Sequence, residues 1–292
     1  LKSQYYLHSF PKEGSVRYCR LPSQLNITCY LLPITYFNMW LLLAFLSATL
    51  LGFYDVFKKQ SLKDNAVLPV LFLNTLFSSL IFLPFILVSA FEPDLLGGTI
   101  FNVPVAGWEQ HKYIIIKSFI VLSSWIFGYF GMKHLPITIV GPINATRPVM
   151  VLVGAMLVFG ERLNLYQWIG VMLAVASFFM LSRSGKKEGI DFKHNKWILF
   201  IVLAAVAGAV SGLYDKYLMK QLNPMLVQSW YNVYQVFIMC PIILLLWYPK
   251  RKESTPFRWD WTNICISIFL CAADFDYFDA LSYEDFMISI VS

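Results

Sequence analysis

Residues 136–182 read PITIVGPINATRPVMVLVGAMLVFGERLNLYQWIGVMLAVASFFMLS. Two apolar runs flank a short charged turn, Gly160-Glu161-Arg162. Each run is roughly 20 residues, the length at which an α-helix crosses the hydrocarbon core of a bilayer. The first run carries Arg147 near its middle, between Pro142 and Pro148. An arginine at that depth costs at least about 2.5–3.5 kcal/mol on insertion scales. A chain that keeps it there must offset that cost in the folded state, so this hairpin sets both the fold class and the search for a site.

Working outward, the rest of the chain reads the same way. Apolar residues make up 58% of the sequence and charged residues 14%, against about 25% charged in soluble domains. The mean hydropathy is +0.61. Most segments lack the polar face that a soluble amphipathic helix needs. The formal charge of +6 falls mainly in loops, as expected for topology signals and for attraction to anionic headgroups. No basic face lies on a soluble element, which excludes a nucleic-acid partner. The cysteines are Cys19, Cys29, Cys240, Cys265 and Cys271. None forms a CxxC pair, so neither a disulfide framework nor a zinc site is signalled.

Residues 1–38 differ in character from the remainder of the chain. They carry Lys2, Lys12, Arg17 and Arg20 among three prolines, Pro11, Pro22 and Pro33. They read as a poorly ordered or non-native N-terminal extension. The first convincing span runs from Met39 to Phe57, the second over about 66–90 and the third over about 113–131. In the third, Lys117 lies near the start, where it can snorkel to the headgroups. The hairpin supplies spans four and five. A polar linker comes next at 183–195, then a sixth span over about 196–218, a seventh over 224–248 and an eighth over 261–281. Residues beyond about 285 read as the start of a ninth.

The second half repeats the first. Gly52, Tyr54, Asp55 and Leu62 recur as Gly212, Tyr214, Asp215 and Leu222. Asn74 and Pro84 have approximate counterparts in Asn232 and Pro241, and Tyr129-Phe130 in Tyr277-Phe278. Residues 39–182 therefore form a first five-helix repeat and 196–292 an incomplete second one. Because five is odd, the second copy enters the membrane in the opposite sense, the inverted-topology arrangement of secondary transporters. The expected fold class is an all-α polytopic membrane protein of two inverted five-helix repeats, with about eight complete spans and a truncated C-terminus.

This repeat, with the hairpin pattern GER-x-N-x-x-Q-W-x-G at 160–170, resembles the EamA-type branch of the drug/metabolite transporter superfamily. The resemblance covers about residues 39–292. It implies a ten-span exporter or importer of small metabolites, with a central cavity between inverted halves and both termini cytoplasmic. The chain departs from that pattern in its N-terminal extension, its missing final spans and Arg147. The loops after the odd-numbered spans carry most of the basic residues, among them Lys58, Lys59, Lys133, Lys186, Lys187 and Arg251. Taken alone, the positive-inside rule would put those loops in the cytoplasm, the reverse of what the resemblance implies.

The candidate substrate-binding residues are Arg147, Asn144, Tyr54, Tyr214, Trp125, Asn74, Trp230 and Asn232. Arg147 either caps carbonyls freed by the two prolines or anchors an anionic or zwitterionic solute, since a guanidinium pairs bidentately with carboxylate or phosphate. Asp55 and Asp215, at matching repeat positions, are either interfacial charges paired at helix ends or proton-coupling groups. Glu161 and Arg162 form either a solvated turn or a gate contact. Asp274, Asp276 and Asp279 cluster in the eighth span, where Asp274 could neutralise Arg147 across the halves. The single histidines have no metal-ligand spacing, and no catalytic or phosphate-binding motif is present, so no metal, cofactor or enzyme activity is expected. The expected partners are a small-molecule substrate and membrane lipid, with a homodimer also admitted, in a bacterial inner membrane. The alternatives are an intramembrane enzyme acting on a lipid-linked substrate and a non-transporting membrane scaffold.

Overall fold

The computed structural model describes residues 26–160, scattered positions between 164 and 180, 195–252 and 255–291, with side chains between 42 and 280. All regular structure among the described residues is helical. The helices are α1 (Asn26–Ser61), α2 (Val67–Phe91), α3 (Pro93–Leu96), α4 (Trp108–His134), α5 (Ile137–Asn144), α6 (Arg147–Phe159), α7 (Lys196–Met219), α8 (Pro224–Ile242) and α9 (Thr262–Val291). A π-helical turn, Ile243–Trp247, extends α8.

Five described segments are long and apolar enough to cross a membrane: Val67–Phe91, Trp108–His134, Ile137–Val158, Lys196–Met219 and Pro224–Trp247. The protein is a multi-pass membrane protein. The expected fifth span and the Glu161-Arg162 turn lie largely outside the described residues.

The helix ends follow local chemistry. Asn195 caps α7 by accepting from the Trp197 N–H at 3.0 Å. Asn223 caps α8 by accepting from the Met225 N–H at 2.8 Å, with Pro224 in the first turn, where no N–H is needed. Gly160 ends α6 with φ 69°, a left-handed cap.

Three boundaries differ from the sequence reading. Helix α1 begins at Asn26, upstream of Met39, so residues 26–38 belong to it. Helix α9 continues unbroken to Val291 where a ninth span was expected to begin, because Ser282-Tyr283-Glu284-Asp285 contains no glycine or proline to stop it. The expected fourth span is split into α5 and α6. Pro148 has no N–H to continue the ladder to Asn144, and the chain turns at Ala145-Thr146, where Thr146 donates its hydroxyl back to the Ile143 carbonyl at 2.6 Å.

The most extensive packing is α1 on α9 and α4 on α7, followed by α2 on α8. Small residues permit the close crossings. A Cβ at Gly131 would overlap the Ile201 side chain, and one at Gly128 would meet the Ala204 Cβ at 3.7 Å. Serine hydroxyls stitch the same crossings: Ser124 donates to the Ala204 carbonyl at 2.8 Å and Ser47 to the Ala273 carbonyl at 2.8 Å. The buried apolar core is divided in two. One cluster, including Leu62, Val67, Leu71, Leu135 and Ile266, gathers where α1 and α4 end and α2 and α9 begin. The other, including Phe82, Ile114, Leu222 and Met225, gathers at the opposite end. Between them lies an open space.

Candidate functional site

That space is a cavity of about 970 Å³ with walls from α1, α4, α5, α6, α7, α8 and α9. Its volume is within the range of small-molecule sites. Charged and aromatic side chains face it, and they fall into two centres.

The first centre sits where α1, α4 and α6 meet. The helix break before Pro148 places Arg147 in the first turn of α6. Its guanidinium lies along α7 at Gly208: a Cβ there would stand 3.0 Å from both Cζ and Nε. Only glycine leaves this space, so the α7 backbone sets the position of the arginine head. The Arg147 Nε and the Asn144 Oδ1 are both buried and have no hydrogen-bond partner. Nearby, Lys58 Nζ donates to Asp55 Oδ1 at 2.8 Å and lies 4.4 Å from the Tyr54 ring centroid and 5.2 Å from that of Tyr129. The Tyr54 hydroxyl donates to that of Tyr129 at 3.4 Å.

The second centre joins α4, α7, α8 and α9. Lys117 and Asp215 form a buried ion pair. The Lys117 ammonium also lies 4.9 Å from the Tyr231 ring and 4.7 Å from the Phe278 ring, a cation–π setting. The Tyr231 hydroxyl donates to Asp274. Lys117 therefore does not snorkel to the headgroups. It turns into the bundle, because an ammonium buried to 2% exposure needs a counter-charge and Asp215 supplies it.

The cavity brings together Arg147, Asn144, Tyr54, Trp125, Asp55 and Asp215. The other four residues named from sequence as substrate-binding lie elsewhere. Asn74 takes a hydrogen bond from the Ser267 hydroxyl at 3.1 Å. Asn232 donates to the Gln228 carbonyl at 2.8 Å. Trp230 meets His111 edge-on at 4.8 Å, and Tyr214 donates its hydroxyl to the Tyr113 carbonyl at 3.2 Å. The Asn74, Trp230 and Tyr214 contacts tie helices to one another, and the Asn232 bond lies within α8. Among the described residues Arg147 and Asp274 do not form an ion pair.

The sequence reading missed Lys58, Lys117 and Tyr129 as cavity residues, whereas Tyr231, weighed there as either helix packing or cavity lining, does line it. Lys117 was the findable one, since it lies nine positions into the helix that Trp108 begins, deeper than an interfacial lysine needs to be.

A family model described as the EamA-like transporter family matches residues 38–183. The chain belongs to the EamA-like transporter family. It is also similar to an uncharacterized transporter of Archaeoglobus fulgidus, 23% identical over 219 residues that cover 75% of this chain and 71% of that protein. The match includes α1 from residue 38, the split α5–α6 segment and the hairpin turn. The protein is thus a membrane transporter, in a family of transporters rather than enzymes.

Proposed function

We propose that this transporter is a secondary carrier that moves a small polar or amphipathic metabolite through the central cavity by alternating access between two inverted halves. The observation that carries this reading is the cavity itself: both halves wall it, and it presents Arg147 Nε and Asn144 Oδ1 with nothing bound to either. Of the buried polar atoms without a partner among the described residues, those of Arg147 and Asn144 alone belong to cavity-lining residues, and a solute that drew these side chains inward could supply what they lack.

The helix pairing supports the inverted repeat. Exchange α1 with α7, α2 with α8, and α4 with α9. The α1–α9 pair then becomes α7–α4, α2–α9 becomes α8–α4, and α2–α8 maps onto itself, and each of these pairs is packed. The polar crossings follow the same exchange. Ser118 on α4 donates to the Tyr231 carbonyl on α8 at 3.3 Å, and Ser267 on α9 donates to the Asn74 carbonyl on α2 at 3.2 Å. A bundle without internal symmetry has no reason to respect this swap.

One departure from the symmetry supports alternation. Asn65, before α2, and Asn223, before α8, occupy equivalent positions. Asn223 is exposed and only caps its helix. Asn65 is buried and clamps the loop before α9: its Nδ2 donates to the Arg258 carbonyl at 2.8 Å, and its Oδ1 accepts from the Arg258 N–H at 2.9 Å. A clamp made at one end and not at its counterpart is what a carrier caught in one of two states would display. In this reading, Asp55 and Asp215 are the candidate proton carriers, each held by a lysine that could take over its charge balance.

Metabolite uptake and efflux in cells expressing the natural protein or its Arg147→Ala variant test the proposal. The variant loses transport of the solute the natural protein moves; equal fluxes would remove Arg147 and the cavity floor from the path.

A further inference from the structure

The exchange of halves carries α2 onto α8 and α8 onto α2, so the crossing of these two helices is the centre of the swap. They lie in opposite directions. Val67, Val70 and Leu71 at the start of α2 share a core cluster with Met239 at the end of α8, and Phe82 shares the other cluster with Met225 and Leu226 at its start. Between the clusters both helices turn polar, with Asn74 on α2 and Asn232 and Gln235 on α8. A serine from a further helix meets each: Ser267 of α9 at Asn74, and Ser118 of α4 at Tyr231. None of Asn74, Ser118, Asn232, Gln235 and Ser267 is more than 1% exposed.

The two serines are placed alike and bonded differently. Each reaches the carbonyl four residues back on its own helix and one carbonyl across the crossing. Ser118 is drawn to its own helix: its hydroxyl lies 2.8 Å from the Ile114 carbonyl and 3.3 Å from that of Tyr231. Ser267 stands off its own helix, 3.2 Å from the Asn263 carbonyl, and reaches the Asn74 carbonyl at 3.2 Å and the Asn74 Oδ1 at 3.1 Å. The Asn232 Oδ1, which the exchange makes the counterpart of the Asn74 Oδ1, has no partner. A buried acceptor left unpaired costs free energy that a donor brought within reach recovers. The imbalance runs the same way as at the ends, where Asn65 clamps the loop before α9 and Asn223 only caps α8.

We propose that Ser267–Asn74 and Ser118–Asn232 are the two positions of a hydrogen-bond switch at the middle of the bundle, one closed in each of the carrier's two states. The inference rests on the alternating-access reading above. In the state described, Ser267 donates to the Asn74 Oδ1. In the other, α9 draws back from α2, α4 closes on α8, and the Ser118 hydroxyl leaves the Ile114 carbonyl to donate to the Asn232 Oδ1. One buried bond forms as another breaks, which keeps the two states close in free energy, as a carrier that must visit both requires.

The test is hydrogen exchange at the Arg258 amide, which the Asn65 clamp holds, in the purified full chain in lipid nanodiscs. That amide exchanges when the clamp is open. Ser267→Ala removes the bond made here and quickens its exchange about fivefold, the worth of one neutral hydrogen bond. Asn232→Ala and Ser118→Ala each remove one half of the bond made in the other state, and each slows exchange by about the same factor. Lost packing or lost fold only quickens exchange, so the slowing separates a switch from a merely structural contact, and it remains readable if Ser267→Ala does not fold. Quickened or unchanged exchange in either Asn232→Ala or Ser118→Ala, or slowed or unchanged exchange in Ser267→Ala, would overturn the proposal. Opposite shifts in a chain that moves no solute defeat only the transporter reading; solute flux with shifts of a single sign defeats only this inference.

Discussion

Replacing Gly208 with alanine perturbs the arginine without touching it covalently. The added methyl would stand 3.0 Å from Arg147 Cζ and Nε and 3.2 Å from Nη1, against about 3.5–4.0 Å for relaxed contact between such atoms. The guanidinium must therefore retreat by roughly 0.5–1 Å. It can, because it is the far end of a flexible side chain, at about 0.5–1.5 kcal/mol if a torsion is pushed off its well. Against this, alanine in a helix interior gains about 1 kcal/mol over glycine. The two nearly cancel, so Gly208→Ala should melt within a few degrees of the natural protein. Function should not be spared. A recognition group must be held within about 0.5 Å of its productive place, and the displaced guanidinium should cut substrate affinity about tenfold. Paired measurements of thermal unfolding in detergent and of solute binding in nanodiscs decide it. Full affinity in Gly208→Ala would mean that the α7 backbone does not position Arg147; a large drop in melting temperature would mean that the glycine serves packing instead.

The Lys117–Asp215 pair is buried at both partners, so Lys117→Met or Asp215→Leu alone should cost about 3–5 kcal/mol by stranding the other charge. Lys117→Met with Asp215→Leu should recover most of that, and a double-mutant cycle that proves additive would deny the coupling. Asn65→Ala removes two hydrogen bonds to the loop before α9, worth about 2 kcal/mol together. Amide exchange at Arg258 should quicken by roughly 30-fold if the clamp holds that end shut, and unchanged exchange would show that other contacts hold it.

The helices were legible because lipid demands long apolar segments and their lengths follow bilayer thickness. Tyr54-Asp55 and Tyr214-Asp215 recur in register in the sequence, and that recurrence is what suggested a repeat. Arg147 stood out because its cost in lipid is high. The interior of the site was less legible. Whether a lysine near a span end snorkels outward or turns inward depends on which helix packs beside it. Lys117 meets Asp215 only because α4 crosses α7 at small residues, and the two lie 98 positions apart in the chain. Nor could pattern tell Asn74 and Asn232 from Asn144, since all three are polar residues inside apolar runs. Asn74 finds its partner across the α2–α9 crossing and Asn232 within its own helix, whereas Asn144 sits at a break beside the cavity it lines. That break was half visible in Pro142 and Pro148. The ninth span expected beyond residue 285 was a misreading, because no helix breaker stands there and α9 runs on to Val291.

The two centres also bear on how such a carrier would move. Asp55 pairs within its own helix, with Lys58 three residues on, whereas Asp215 pairs across the halves, from α7 to α4. A rearrangement that slides α4 past α7 must break a buried ion pair, at a cost of several kcal/mol. One that slides α1 past α9 leaves Asp55–Lys58 whole; it loses the Ser47 and Ser61 hydroxyl bonds to Ala273 and Asn263 and the stacking of Phe53 and Phe57 on Phe269, contacts that α4–α7 matches with Ser124–Ala204, Tyr214–Tyr113 and Phe127–Phe200, so the buried ion pair is the difference between the two. The cheaper motion is therefore at α1–α9, with α4 and α7 travelling together. A disulfide can test this, because Cβ atoms at 128 and 204 would stand 3.7 Å apart, inside the roughly 3.5–4.5 Å that a disulfide requires. In a background without the native cysteines, oxidised Gly128→Cys/Ala204→Cys should transport as well as its reduced form. A bridge joining α1 to α9 near Ser47 and Ala273 should arrest flux until it is reduced. Arrest by the first bridge and indifference to the second would place the sliding surface at α4–α7, and the ion pair would then have to open on every cycle.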